Sequence, residues 1–262
     1  MERNDLIAQI ENADMVLVGL GEDFDNQALI KNDEKYVIGC ERLQDMEMHW
    51  LLPMWAFYCT QKSKCDAVTE ALVKLQELLQ DKNYFVVSVS TNPLIADIQW
   101  KHDRMVMPCG SSKMKQCAAG CGDVALLDDV DESSLNNFFD KMYENAEESI
   151  LSPLLGSCSE CGQPMVLNNI YLDHYNENGY LTQWSTYMKW LQGTVNRKLL
   201  ILELGVGLKF PNVIRWPFEK VAFYNQKSYF CRVHEKLYQL TAELSGKGCG
   251  ISQNAIEWLR GL

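Results

Sequence analysis

The sequence predicts an α/β fold: a Rossmann-like parallel sheet flanked by helices, with a smaller zinc-binding module inserted into it. Three observations carry this. Continuous apolar runs end in glycine turns at Asp14–Gly21 and Lys198–Gly205, as expected of parallel strands covered on both faces. Amphipathic helical stretches alternate with such runs, and strand–helix alternation gives a parallel sheet with right-handed crossovers. Two close cysteine pairs, Cys117/Cys121 and Cys158/Cys161, share one stretch of the chain.

Taken in order, residues 4–14 read as a helix with Leu6, Ile7 and Ile10 on one face. Asp14–Gly21 is the first strand and its turn. Residues 22–45 read as a loop with a short helix, and 46–59 as a core-facing helix begun or interrupted at Pro53. Residues 66–80 are a clear amphipathic helix that Asp66 can cap. Tyr84–Ser90 is the second strand, and a helix capped by Ser133 or Ser134 covers 133–147. Lys198–Gly205 is the third strand and Lys220–Asn225 the fourth. Residues 233–244 and 251–260 read as helices, the last capped by Ser252 or earlier. The expected division is a large domain, 1–100 and 166–262, around a small module, 101–165. Ligands of open α/β sheets bind beyond the carboxyl ends of the strands, so the turns after Val18, Ser90 and Leu204 are the places for a site.

Composition narrows the function classes. The chain has 262 residues, 47% of them hydrophobic, and a net charge of −11. No basic patch suggests direct nucleic-acid binding. No apolar run is long enough to span a bilayer, and the polar, acidic start is unlike a signal peptide. The expected setting is the cytoplasm, where thiols stay reduced. Of the ten cysteines, Cys40, Cys59, Cys65, Cys231 and Cys249 are scattered and read as small apolar side chains.

Gly19-Leu20-Gly21 after a buried strand lets a backbone approach a pyrophosphate, or simply makes a tight turn. Phe24 stands where a third glycine would be, and Glu22, Asp23 and Asp25 load the turn with negative charge. Cys117-x3-Cys121 and Cys158-x2-Cys161 lie 36 residues apart, with Gly122 and Gly162 directly after the pairs. Four thiolates at such spacings suit tetrahedral zinc, each short turn supplying two ligands.

The ordered set of motifs resembles the sirtuins, the NAD-dependent protein deacylases. Gly19-Leu20-Gly21-Glu22-Asp23 resembles their first glycine turn. Ser90-Thr91-Asn92-Pro93-Leu94 resembles Thr-Gln-Asn-Ile-Asp, and Cys109-Gly110-Ser111 resembles His-Gly-Ser. Cys117 follows Cys109 by eight residues, the family's spacing from its His to the first zinc cysteine. Gly205-Val206-Gly207 resembles Gly-Thr-Ser, and Asn225 the late Asn that ends the next strand. The resemblance implies zinc on Cys117, Cys121, Cys158 and Cys161, and NAD against Gly19, Gly21, Asn92, Ser111, Gly205 and Asn225. It implies catalysis by Asn92 and by whatever replaces the His, here Cys109, on an acylated or ADP-ribosylated protein. Val166–Leu172 matches the segment that pairs with a substrate peptide.

The departures are chemical. In sirtuins the His is the general base that activates a ribose hydroxyl; a thiol does this only with a lowered pKa. The family's Asp is Leu94, and its Gly-Thr-Ser serine is Gly207. Some macrodomain-linked microbial sirtuins also lack the His and transfer ADP-ribose. The expected function is therefore NAD-dependent deacylation or ADP-ribosyl transfer. The alternative is a non-catalytic sirtuin-fold protein that binds NAD, ADP-ribose or a peptide. His102 could enter the site from its loop and His174 could face a substrate, while Trp50, Trp55, Trp184, Trp190 and Trp216 read as core.

Overall fold

The structure, a computed structural model, describes residues 3–25, 27–101, 103–144 and 153–262; His102 lies outside them. In chain order the strands are β1 Met15–Leu20, β2 Asn83–Ser88, β3 Met105–Val106, β4 Gly110–Cys117, β5 Ala125–Leu126, β6 Met165–Asn169, β7 Leu199–Leu204, β8 Ser228–Val233 and β9 Gly248–Ile251. The helices are α1 Arg3–Asn12, α2 Gln27–Ile30, α3 Glu34–Asp45, α4 Leu52–Lys62, α5 Ala67–Leu79, α6 Pro93–Asp97, α7 Asp129–Tyr143, α8 Asn178–Gln192, α9 Arg215–Tyr224 and α10 Ala255–Arg260.

Six strands form one sheet in the order β3-β2-β1-β7-β8-β9, every pairing parallel. The chain winds outward from β1 through β2 to β3, then returns to β7 on the other side of β1. That reversal between β1 and β7 is the switch point where such sheets open a crevice. Each strand serves two cores by alternation. Val16, Val18 and Leu20 meet Leu6, Leu72, Leu75 and Ile256 on the face covered by α1, α5 and α10. Met15 and Leu17 meet Tyr187, Trp190, Phe218 and Ala222 on the face covered by α8 and α9. Full burial of such side chains contributes about 1.5–3 kcal/mol each.

A second unit holds the antiparallel sheet β5-β4-β6. Its core joins Tyr36, Leu43, Trp50, Trp55 and Cys59 to Leu135, Phe139, Val166 and Leu167. Residues 27–62, expected in the large domain, thus share their apolar faces with the zinc-bearing stretch. Their Met-rich and aromatic surface is matched by α7 and not by the parallel sheet. Gly39 of α3 lies against the Trp55 indole so closely that a side chain there would collide with it.

Three assignments change. Lys220–Asn225 is the end of helix α9, not a strand; Pro217 sits in its first turn, where a missing N–H costs nothing. The strand that follows β7 is Ser228–Val233, which carries a buried arginine. Residues 234–247 form bends and turns, not a helix. Caps differ too: Asp128 caps α7 in a reciprocal box with Asp131, and Asn254 caps α10. Asp66 stands at the start of α5 without a side-chain cap bond. Among the described residues no helix is long and apolar enough to cross a membrane.

Candidate functional site

The turns after β1 and β7 meet at the switch point. Gly21 N–H donates to the Leu204 carbonyl at 2.9 Å and Asp23 N–H to the Gly205 carbonyl at 3.2 Å. A side chain on Gly21 would strike Gly205, and one on Gly205, whose φ is +63°, would strike Asp23. These glycines let two backbones touch. Gly19 serves packing instead: it sits inside β1 under Ile214 and Phe218 of α9. The acids of the turn are all engaged. Glu22 accepts from the amides of Gly207 at 2.6 Å and Lys209 at 3.3 Å. Asp23 accepts from Ala255 N–H at 3.0 Å, at the head of α10.

Asp25 is held from the loop after β2. Ser90 Oγ donates to Asp25 Oδ1 at 2.6 Å, and the Thr91 amide also bonds its carboxylate. Burial raises the Asp25 carboxyl to about 6, against the opposing pull of Ser90 and Lys209. Asn92 caps α6 by accepting from Leu94 N–H at 3.0 Å and donates to the Phe24 carbonyl at 2.8 Å. It therefore clips the second loop to the first turn. Ser112 Oγ continues the chain of contacts to the Thr91 carbonyl at 2.8 Å.

Cys109 is 1% exposed. Burial first, then the charges of Asp25 and Glu22, push its thiol up to about 12. Its carbonyl accepts from Ile170 N–H at 3.0 Å, which fixes it to the end of β6. Gly110, with φ +104°, presses on the Asn168–Asn169 backbone where a side chain would not fit. Across the cleft, Lys209 Nζ donates to Tyr171 Oη at 2.7 Å. Burial lowers the Lys209 ammonium, but Tyr171, Asp25 and Glu22 outweigh it and leave it raised.

Not every expected residue converges here. Ser111 lines a cavity of about 380 Å³ with Trp100, Arg104, Lys113 and Tyr180. Asn225 stands at the opposite end of the sheet, donating to the Thr194 and Arg197 carbonyls at 3.0 and 3.1 Å. It ends a helix beside the amino ends of β7 and β8, so it cannot reach the cleft. The strand that follows β7 ends at Val233, and the next residue is His234, whose Nδ1 accepts from the Lys236 and Leu237 amides. His174 sits beside Gly120 in the cysteine module, and Trp216 is 54% exposed.

The late turn rests on a buried ion network that the sequence reading missed. Glu203 of β7 is fully buried and accepts from Arg232 Nε at 2.6 Å and Arg215 at 3.3 Å. Arg232 also meets Glu219 at 2.7 Å. Arg215 donates to the Val206 carbonyl at 2.7 Å, which aims the turn. Bidentate, fully bonded geometry of this kind is what offsets the desolvation of buried charge.

The four module cysteines converge. Their sulfurs lie within 4.8 Å of one another, four pairs at 3.2–3.5 Å. Zinc with Zn–S bonds of about 2.3 Å sets tetrahedral sulfurs about 3.8 Å apart, so the cluster fits the ion after a slight expansion. Amides of Cys161 and Glu160 point at Cys158 and pull its thiol down to about 7. Gly120, Gly122 and Gly162 all take positive φ to wrap the backbone around the site.

No family model matches the chain. A protein ADP-ribosyltransferase of Staphylococcus aureus (strain Mu50 / ATCC 700699) is 20% identical over 193 residues, 71% of this chain and 59% of its own length. A probable bifunctional ADP-ribose hydrolase/ADP-ribosyltransferase of Fusarium oxysporum f. sp. cubense is 27% identical over 138 residues, 52% of this chain and 23% of its own. The chain therefore spans less than two thirds of the length of either relative. Among solved structures, one concerned with the basis of sirtuin substrate affinity superposes with a TM-score of 0.57 at 12% identity, covering 99% of this chain and 96% of that one. Sir2 bound to acetylated peptide gives 0.55 at 13%, with the same coverage. The chain has the sirtuin fold. It is a divergent version, and the residues gathered at its switch point are Asp25, Asn92, Cys109, Tyr171 and Lys209. Asp25 was visible in the sequence only as an unwelcome charge. Lys209 carried no motif, and Tyr171 stood only within the Val166–Leu172 segment; the two meet because Tyr171 follows β6 and Lys209 follows β7.

Proposed function

We propose that the chain consumes NAD in this crevice and transfers ADP-ribose to a protein acceptor, with zinc holding the small module. The observation that carries the choice is Cys109. A thiol buried at 1% exposure and pushed up to about 12 is almost wholly protonated at neutral pH. It cannot serve as the base that sirtuin deacylation asks of its histidine. Transfer to an outside acceptor makes no such demand on the ribose hydroxyl. The sequence relatives named as ADP-ribosyltransferases support the same choice. Asn92, Gly21 and Gly205 shape the wall against which NAD would lie, and β6, an edge strand of its sheet, offers backbone to a peptide. The free thiols throughout agree with a reducing, cytoplasmic setting.

The test is incubation with NAD and a panel of protein acceptors, followed by intact mass measurement and nicotinamide assay, beside an acyl-lysine peptide. Nicotinamide release with an added ADP-ribosyl mass supports transfer. Deacylation of the peptide in its place would overturn the choice. A second reading has its own observation: Glu22 already occupies the Gly207 and Lys209 amides, as an internal anion would. A non-catalytic binder of NAD or ADP-ribose would show ligand-induced stabilisation without nicotinamide release.

A further inference from the structure

The crevice holds a carboxylate for which the sirtuin resemblance assigns no role. Asp25 leaves the first turn just after Phe24, and only one of its surroundings is a like charge close in sequence, Glu22. The loop after β2 gives it Ser90 Oγ at 2.6 Å and the Thr91 amide. Ser90 Oγ in turn accepts from Asn92 N–H at 3.3 Å, so the donor that holds Asp25 is itself fixed. From the late turn comes the ammonium of Lys209. From the turn before β4 comes the Cys109 thiol, and from the end of β6 the Tyr171 phenol, both of which sense the Asp25 charge. Four segments thus converge on one carboxylate at the carboxyl edge of the sheet. Asp25 nevertheless remains partly open to solvent.

We propose that Asp25 is the general base of this enzyme, taking the proton of the acceptor as ADP-ribose is transferred. The proposal rests on the NAD-consuming reading above. In the step, the bond between nicotinamide and ribose C1′ breaks and nicotinamide leaves with the electron pair. The acceptor's heteroatom forms the new bond to C1′, and its proton passes to the Asp25 carboxylate and then to water. Cys109 contributes bulk and dryness at the old base position. The Lys209 ammonium favours the anionic form of Asp25. Burial sets the carboxyl near 6, so the base is charged at neutral pH yet strong enough to accept a proton.

The experiment is the pH–rate profile of nicotinamide release by the full chain, with Asp25→Asn and Asp25→Glu, each also assayed for NAD-dependent thermal stabilisation. The wild type should lose activity as pH falls through about 6, because protonation removes the base. Asp25→Asn should lose that limb and fall roughly 100-fold while keeping its NAD-induced shift. Asp25→Glu should recover part of the rate and a displaced limb. An Asp25→Asn protein that keeps the wild-type limb overturns the assignment, as does a limb abolished by Cys109→Ser instead. A wild type stabilised by NAD that releases no nicotinamide at any pH overturns the base and leaves the NAD crevice standing. A wild type that NAD does not stabilise at all sinks the NAD reading itself, and the base with it.

Discussion

Glu22 and Asp25 are three residues apart and meet opposite fates. The Glu22 carboxylate lies on the Gly207 and Lys209 amides, the donors that a turn at the carboxyl edge of a sheet would offer to an anion. Removing it with Glu22→Ala frees those amides and takes one negative charge from the crevice. NAD affinity, read by titration calorimetry, should rise about three- to tenfold, since a like charge about 4 Å away is worth about 1 kcal/mol when water screens it. Weaker binding would mean that the carboxylate shapes the turn for its ligand. Asp25 instead costs stability when charged. Its folded pKa, about 6, lies above the ordinary 3.8, so its contribution is fully present below the unfolded value and is lost as pH rises through 6. Asp25→Asn should therefore raise the unfolding temperature by a few degrees at pH 7.5, about 1–2 kcal/mol after solvent screening, and the gain should fade by pH 4.5. An unchanged melting curve at pH 7.5 would show that Ser90 and Lys209 already cover the cost.

At the scale of elements, α3 and α4 meet through Gly39 and Trp55, with no room for a methyl group. Trp55 is fully buried and donates from Nε1 to the Tyr36 carbonyl at 3.0 Å, so the ring cannot step aside cheaply. Gly39→Ala should cost about 1–3 kcal/mol through overpacking, despite alanine's better helix propensity; denaturant unfolding would show it, and a stabilised protein would mean the helices can slide apart. Elements of this kind also divide what the sequence disclosed from what it hid. Met15–Leu20, Asn83–Ser88 and Leu199–Leu204 were legible because both faces are buried and their apolar runs are unbroken. The cysteine module was legible because ligand spacing is a local property. Ser228–Val233 was hidden by Arg232, a residue that central strands exclude unless a partner such as Glu203 waits on the neighbouring strand. Its neighbour α9 was mistaken for a strand because Val221, Phe223 and Tyr224 favour strands locally and tertiary packing overrode them. That single exchange moved Asn225 from the crevice to the far end of the sheet.

At the scale of the whole molecule, the residues gathered at the switch point come from both sheets, and Cys109 itself packs in the core between the parallel sheet and helices α8 and α9. The parallel sheet brings Asp25, Asn92 and Lys209 on its turns. The antiparallel sheet brings Cys109 before β4 and Tyr171 beyond β6, and these two strands pair at Gly110–Asn169 and, past an irregularity, from Lys115–Leu167 to Cys117–Met165. The far end of that ladder is Cys117, one of the four clustered thiols. Zinc at the cluster would therefore govern the crevice from the other end of β4 without touching a ligand in it. Stripping the metal with a chelator, or replacing Cys158 by serine, should lower the NAD-induced rise in melting temperature by at least half. The far-ultraviolet signature of the parallel α/β unit should persist, because none of its strands depends on the cluster. Structural zinc contributes folding free energy directly, so the small unit should melt first and separately in a calorimetric scan. A metal-free protein that still melts in one transition and still responds fully to NAD would mean that α3, α4 and α7 alone hold β4 and β6 in place. The thiol cluster would then be a local ornament of the module, with no part in holding the crevice.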